Sequence, residues 1–395
     1  MTVEETTDLY WDPYDAALNM DPYSLFGRFR DEAPLYYNEA YDFYLLSRAD
    51  DVERALVDHE RLSSARSDIL ELLRAGMELP PGFFIFEDPP QHTMHRGVLS
   101  RVFTPKKMAA LEPDVRALCA RALDPLVGRD GFDFVHDFGG PVSSGAIGMM
   151  LGIPESDQKA VRAEVEGHIK TESGEGIDTN AFDPAMYADY IDWRAEHPAD
   201  DLMTALLNVE FDDEHGTTRR LRRDEVLNAT MLLAGAGNET TAKLISWTGK
   251  LLADHPDQRR AIAEDLSLVP DAIEEILRFE PPGFQFARWV VADAEFSGGI
   301  VPAGNAVVCS LGAANRDPRR FPDGDRFDVR RRPAGILTFS FGIHFCLGAA
   351  LARLQGRVAL EEVLKRFPEW TVDEARAVLV PSSTTRGYDT LPVQV

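Results

Sequence analysis

Cys346 lies in a stretch whose residue types suit metal chemistry, Leu337-Thr-Phe-Ser-Phe-Gly-Ile-His-Phe-Cys-Leu-Gly-Ala-Ala-Leu-Ala-Arg-Leu. Before it, Phe339, Phe341 and Phe345 mixed with Gly342 read as an apolar loop. After it, Leu347, Leu351, Leu354 and Val358 recur at helical spacing, which places the cysteine at the mouth of a helix. There, free backbone N–H groups and the positive end of the helix dipole favour a thiolate over a thiol. Gly342 and Gly348 allow the backbone to approach something flat and bulky. A thiolate in such a loop is a way to hold a haem iron by sulfur. On residue type alone, a lone cysteine in an apolar segment is more often inert core, so other residues must decide.

A second group sits in the middle of a long helical pattern, Asp224 to about Asp254, with Asp224 as N-cap and Pro256 as stop. About thirty residues at 1.5 Å rise span roughly 45 Å. Gly235, Gly237, Glu239, Thr240 and Thr241 break the rules of a buried helix. Each glycine costs about 1 kcal/mol against alanine, and a buried glutamate is costly without a partner. In the functional reading, Gly235 and Gly237 thin the helix so that a ligand can approach. Thr240 bonds back to the carbonyl of Ala236, opening a groove that holds water, and Glu239 relays protons. The competing reading is a glycine crossover between packed helices.

Two further pairs stand at helical spacing. His92 and Arg96, four apart after Pro89-Pro90, project from one face and can donate charge-assisted hydrogen bonds to carboxylates. His95 lies elsewhere on that helix and is given no role. Glu275 and Arg278, three apart, sit on a helix that Pro281 ends.

These segments, in this order, resemble the cytochrome P450 family over nearly the whole chain. Phe339-x-x-Gly342-x-His344-x-Cys346-x-Gly348 resembles its haem-binding loop, with Ser340 where a glycine often follows the phenylalanine. That departure bears on how closely the loop approaches a bound ring. Ala236-Gly-Asn-Glu-Thr-Thr241 resembles the oxygen-activation motif, and Glu275-x-x-Arg278 a scaffold pair. The resemblance implies haem b held by Cys346, with Phe339, Gly348, Ala236 and Gly237 beside it. It implies that His92, Arg96, Arg288 and His344 grip the haem propionates, and that Glu239 and Thr240 are catalytic. The implied fold is mainly α with a small β region, one domain over residues 1–395, with haem between the long helix and the cysteine loop. The implied reaction inserts one atom of O2 into an apolar small molecule, using electrons from a small iron–sulfur ferredoxin and its NAD(P)H-dependent reductase. A basic patch from Arg96, Arg101, Lys106, Lys107, Arg353 and Arg357 would steer an acidic donor.

Three rival readings remain. A peroxide-driven haem-thiolate peroxygenase is disfavoured by the Glu239–Thr240 pair. A hydrolase using Cys346 with His344 lacks an orienting group and an oxyanion motif. A haem gas sensor without turnover is separated by product formation.

The elements that must position these groups follow from pattern. Leu35–Asn38 and Phe43–Ser47 read as two strands around a turn, and Asp50/Asp51 cap a helix through His59. Residues 64–89 form a long hydrophobic connection, a binding loop or a core closure. From Met108 to Val209 the chain is mostly helical, and 170–186 joins two helices that in the family roof the active site. A strand begins at Phe284, and a turn at Thr384–Thr385 reaches the pocket. The expected pocket residues are Phe83, Phe84, Phe86, Met231, Leu232, Ala236, Phe284 and Phe286.

The chain has 395 residues with 41 basic and 66 acidic side chains, a net charge of −25. That balance argues against general binding to nucleic acid or anionic membrane. Three cysteines at no metal-like spacing fit a reducing cytoplasm. An acidic N-terminus and the lack of a long apolar run argue against a membrane location.

Overall fold

The computed structural model describes residues 9–76, 79–158, 161 and 184–395. The span 170–186 falls outside them, except for Pro184–Met186 in a short 3-10 turn.

The β region is built from strands far apart in sequence. Leu35–Asn38 (β1) and Phe43–Leu46 (β2) form the expected hairpin. Leu62–Ser63 (β3), Gln285–Val290 (β4) and Ala306–Ser310 (β5) complete a five-stranded sheet ordered β1-β2-β5-β4-β3. Every residue of β5 is buried, as expected of an apolar central strand covered on both faces. β5 runs parallel to β2, with Ala306 opposite Phe43. It runs antiparallel to β4, with Val307 opposite Arg288. Arg288 is therefore fixed by a strand ladder rather than by a loop.

The helices that matter for the site are Gln91–Ser100 (α1), Glu112–Leu123 (α2), Gly140–Leu151 (α3), Arg223–Asp254 (α4), Val269–Phe279 (α5) and Ala349–Arg366 (α6). α4 has 32 residues, about 48 Å at 1.5 Å per residue. It starts one residue before Asp224. Glu225, at the third helical position, reaches back to accept the Arg222 N–H at 2.7 Å, which satisfies an otherwise orphaned donor. α4 packs most heavily on α3 and also on α6. No helix among the described residues is long and apolar enough to cross a membrane.

Two apolar cores result. The larger joins the helices to one face of the sheet, and the smaller gathers Trp11, Tyr23, Phe26, Phe29, Phe43 and Phe284 around the N-terminal strands.

Glu275 and Arg278 are fully buried on α5. Arg278 Nε donates to Glu275 Oε2 at 2.7 Å, and Nη1 donates to the carbonyls of Asn315 and Gly324 at 2.8 and 2.7 Å. Arg331 donates to Glu275 Oε1 at 3.1 Å. The pair thus ties the irregular run after β5 to α5, below the cysteine loop. Glu275→Ala leaves an uncompensated buried guanidinium and should cost about 3–5 kcal/mol in urea denaturation. A loss below about 1 kcal/mol, the worth of an exposed pair, would remove it from the scaffold.

Candidate active site

The loop that carries Cys346 is closed by its own backbone. A 3-10 turn, Gly342–His344, precedes the cysteine, and α6 begins at Ala349. The Cys346 N–H donates to the Phe339 carbonyl at 2.7 Å. Ser340 and Gly342 both take left-handed backbone angles, φ 61° and 66°. This accounts for the glycine usual in the family at the position of Ser340, since a side chain there costs roughly 1–2 kcal/mol. The Ser340 hydroxyl is buried and has no partner among the described residues. The close approach that Gly342 permits is to protein: a Cβ there would lie 3.1 Å from the Leu56 carbonyl and the Val57 Cα.

Cys346 remains accessible although protein surrounds it closely. Burial pushes its thiol up, while the Gly348 N–H and the charges of Arg96 and Arg353 pull it down. Burial wins, so the helix mouth does not make a thiolate by itself. A metal cation would, because a coordinating thiol is deprotonated.

Beside the cysteine stands a cluster of two histidines and two arginines. The rings of His92 on α1 and His344 in the loop are 4.3 Å apart. Neither ring nitrogen of buried His92, nor Nε2 of His344, has a hydrogen-bond partner among the described residues. Burial lowers His92 to about 4 and His344 to about 2, helped by the neighbouring Arg96 and Arg288. Arg96 donates to the Phe345 carbonyl and is itself lowered by burial. Arg288 is 3% exposed, donates to the Ala287 carbonyl at 2.8 Å, and has no ion pair among the described residues. The acid that feels it, Asp68, is raised to about 6 by burial. Buried donors left without acceptors, converging near an accessible sulfur, fit a flat group carrying two carboxylates. The structure therefore brings together His92, Arg96, Arg288, His344 and Cys346, with Phe339 buried under the Arg353 guanidinium at 4.3 Å.

On α4 the Thr240 hydroxyl donates to the Ala236 carbonyl at 2.9 Å, as its position in the sequence suggests. Ala236 is exposed and Met231, Leu232, Glu239 and Thr240 half-buried, although the helix is buried on either side. The middle of α4 is therefore left partly uncovered where the rest of the helix is packed. A Cβ at Gly237, however, would meet the Ile147 side chain of α3 at 3.0 Å, so this glycine serves helix packing rather than ligand approach. Gly237 is withdrawn from the cofactor-lining residues.

Phe284 is also corrected. Its ring lies 5.9 and 6.2 Å from those of Phe26 and Tyr23, inside the smaller core. Phe286, one pleat further, packs on the larger core with Met231 and Leu232. Phe83, Phe84 and Phe86 are buried around a 3-10 turn. The basic patch is narrower than expected. Arg353 pairs with Glu274 at 2.5 Å, and Arg357 pairs with Glu112 at 2.5 Å and Glu361 at 2.9 Å. Arg101, Lys106 and Lys107 have no carboxylate partner among the described residues.

Two groups escaped sequence reasoning. Glu239 is bonded to Lys243 and Thr385; the lysine is visible as an i,i+4 pair, the threonine is not. His95 is buried between Glu87 at 2.7 Å and Glu225 at 3.6 Å, with Arg219 and Arg222 on the far side of Glu225. Here α1, the aromatic turn and the start of α4 are joined.

Residues 179–388 match the family model described as Cytochrome P450. The chain is 35% identical over 390 residues to cytochrome P450 130 of Mycobacterium tuberculosis, covering 95% of each. It is 34% identical over 391 residues to the vitamin D(3) 25-hydroxylase of Pseudonocardia autotrophica, covering 97% of this chain and 96% of that one. A solved mutant of P450 EryK in complex with erythromycin B has TM-score 0.87 at 30% identity, covering 95% of this chain and 96% of that one.

Burial alone would lower His95, but the carboxylates of Glu225 at 3.6 Å and Glu87, hydrogen-bonded at 2.7 Å, outweigh it and raise His95 to about 9. A histidine held charged in the fold adds stability that is complete below about pH 6.5 and is lost as pH rises through about 9. His95→Gln should flatten that part of the stability–pH curve. An unchanged slope between pH 6.5 and 9 would show that His95 does not carry the charge.

Proposed function

The chain belongs to the bacterial cytochrome P450 family of haem b monooxygenases, and from that premise we propose that it oxygenates an apolar small molecule with electrons from a ferredoxin and its NAD(P)H-dependent reductase. The observation that carries the reading is the set of unpartnered buried ring nitrogens on His92 and His344, grouped with Arg96 and Arg288 beside an accessible Cys346.

In this reading Cys346 Sγ ligates the iron, and the Gly348 N–H tunes its donor strength. His92, Arg96, Arg288 and His344 pair with the propionates, exchanging orphaned donors for charge-assisted bonds. Haem b, when bound, supplies the iron chemistry that cleaves O2 and transfers one oxygen atom to substrate. Thr240, its proton committed to the Ala236 carbonyl, keeps oxygen lone pairs free to accept a bond from water. Glu239 relays a proton to that water.

The substrate wall is assigned to Phe83, Phe84, Phe86, Met231, Leu232, Ala236 and Phe286. These side chains exclude water and offer apolar contact. The vitamin D(3) 25-hydroxylase and the erythromycin B complex among the similar proteins support hydroxylation of a bulky apolar skeleton. The exposed segment Arg101, Lys106 and Lys107 supports an acidic electron donor.

Reconstitution with NAD(P)H, a ferredoxin and its reductase should give hydroxylated product; consumption without product would leave the sensor reading. Cys346→Ser should lose the thiolate signature in the carbon monoxide difference spectrum, and its survival would end the ligand assignment. Thr240→Ala should keep haem but lower product per NAD(P)H by at least about tenfold, with peroxide released instead. Unchanged coupling would remove Thr240 from the mechanism.

A further inference from the structure

Glu239 is held by a device made from two distant parts of the chain. Its Oε1 accepts from Lys243 Nζ, one turn along α4, and from Thr385 Oγ1 at 2.9 Å. Lys243 Nζ also donates to Thr385 Oγ1 at 2.5 Å, so the three groups close a triangle. The lysine side chain is only 11% exposed, unlike the usual solvated i,i+4 pair.

Thr385 lies in the turn between Val378–Pro381 (β6) and Arg386–Thr390 (β7). Ser382 Oγ accepts the Thr385 N–H at 2.8 Å and lies 2.9 Å from Thr385 Oγ1 and 3.1 Å from the Thr385 carbonyl, so its one proton is shared between those two oxygens. The turn is fastened on two sides. Trp247 Nε1 of α4 donates to the Arg386 carbonyl at 3.0 Å, and Phe284 N donates to the Thr384 carbonyl at 2.7 Å. Gly387 is demanded by the same arrangement, since a Cβ there would sit 2.4 Å from Lys243 Cγ. The methylene stem of Lys243 thus lies flat on the hairpin, with its ammonium at the acid.

A hydroxyl has one proton and two lone pairs. Thr385 spends its proton on Glu239 and accepts from Lys243, so the hydrogen bonds run toward the carboxylate. We propose that Lys243 and Thr385 are positioning residues for Glu239, and that the Thr385–Ser382 hydroxyl pair is the route by which its proton is replaced. When Glu239 has released a proton to the water at Thr240, its carboxylate takes one from Thr385 Oγ1. That oxygen takes one from half-buried Ser382, which takes one from water. Each oxygen gives and receives one proton, and no electron moves. The inference rests on Glu239 being the acid, as proposed above.

The test compares Glu239→Gln, Lys243→Met and Thr385→Val with the retaining variants Lys243→Arg and Thr385→Ser, all as holoprotein. Product per NAD(P)H, the solvent deuterium isotope effect on turnover and the thermal midpoint are measured, singly and in double variants with Glu239→Gln. Expected are a fall in coupling of about tenfold for Thr385→Val and Lys243→Met, below the full contribution of a positioned acid, and a larger isotope effect. Both effects, and the midpoint shifts, should be non-additive with Glu239→Gln, and Thr385→Ser and Lys243→Arg should restore coupling. If Glu239→Gln is impaired while Thr385→Val and Lys243→Met behave as wild type, the clamp is overturned and the acid assignment stands. Additive losses would also overturn the clamp. A Glu239→Gln variant with normal coupling and isotope effect would overturn both.

Discussion

Buried nitrogen groups without hydrogen-bond acceptors are the constraint around which the site is arranged. Removing an ion from water costs several kcal/mol, and a histidine escapes that cost by giving up its proton. His92 and His344 do so, at about 4 and about 2. Arg288 cannot discharge in this way, and it is locked in β4 between β5 and β3. The cluster is therefore complementary to a buried dianion. Each element that delivers a member of it, α1, β4 and the loop before α6, is anchored well away from the site. The Glu275–Arg278 pair holds Asn315, whose side chain in turn bonds Leu337 and Thr338 at the start of that loop.

The opposite wall follows a different logic. α4 is buried on both sides of its centre, and there it leaves an alanine exposed beside a self-bonded threonine and a clamped glutamate. The two glycines looked alike in the sequence. The structure shows Gly237 admitting Ile147 of α3, so a helix left partly uncovered on one face is seated tightly by its neighbour on another. Polar groups at the centre are satisfied from elsewhere in the chain, which is how a buried glutamate is tolerated.

Legibility in the sequence tracked how local each signal was. The Cys346 loop, the α4 motif, the Glu275–Arg278 pair and the β1–β2 hairpin are contiguous or helical patterns, and the structure contains them as elements. Family membership followed from the same segments. What was missed depends on contacts between remote residues. Nothing near Thr385 points to Glu239, 146 positions away. Nothing beside His95 shows that Glu225 will face it. Phe284 and Phe286 differ only by one strand period, yet the first belongs to the N-terminal core. The expected basic patch is narrowed because Glu112, Glu274 and Glu361 arrive from three helices to pair two of its arginines. The Cys346 thiol failed to be acidic because burial outweighs the helix mouth.

The parallel pairing of β5 with β2 makes the N-terminal hairpin part of the site's construction. β5 sets the register of β4, and Ala306 can sit opposite Phe43 only when the N-terminal hairpin is in place. Closing that contact joins segments separated by more than half the chain, the slow kind of step in assembly. A chain shortened at its start would then keep every residue of the haem-binding motifs and still present Arg288 on a strand with an unpaired neighbour, so cofactor retention in this protein is a property of its far end as well.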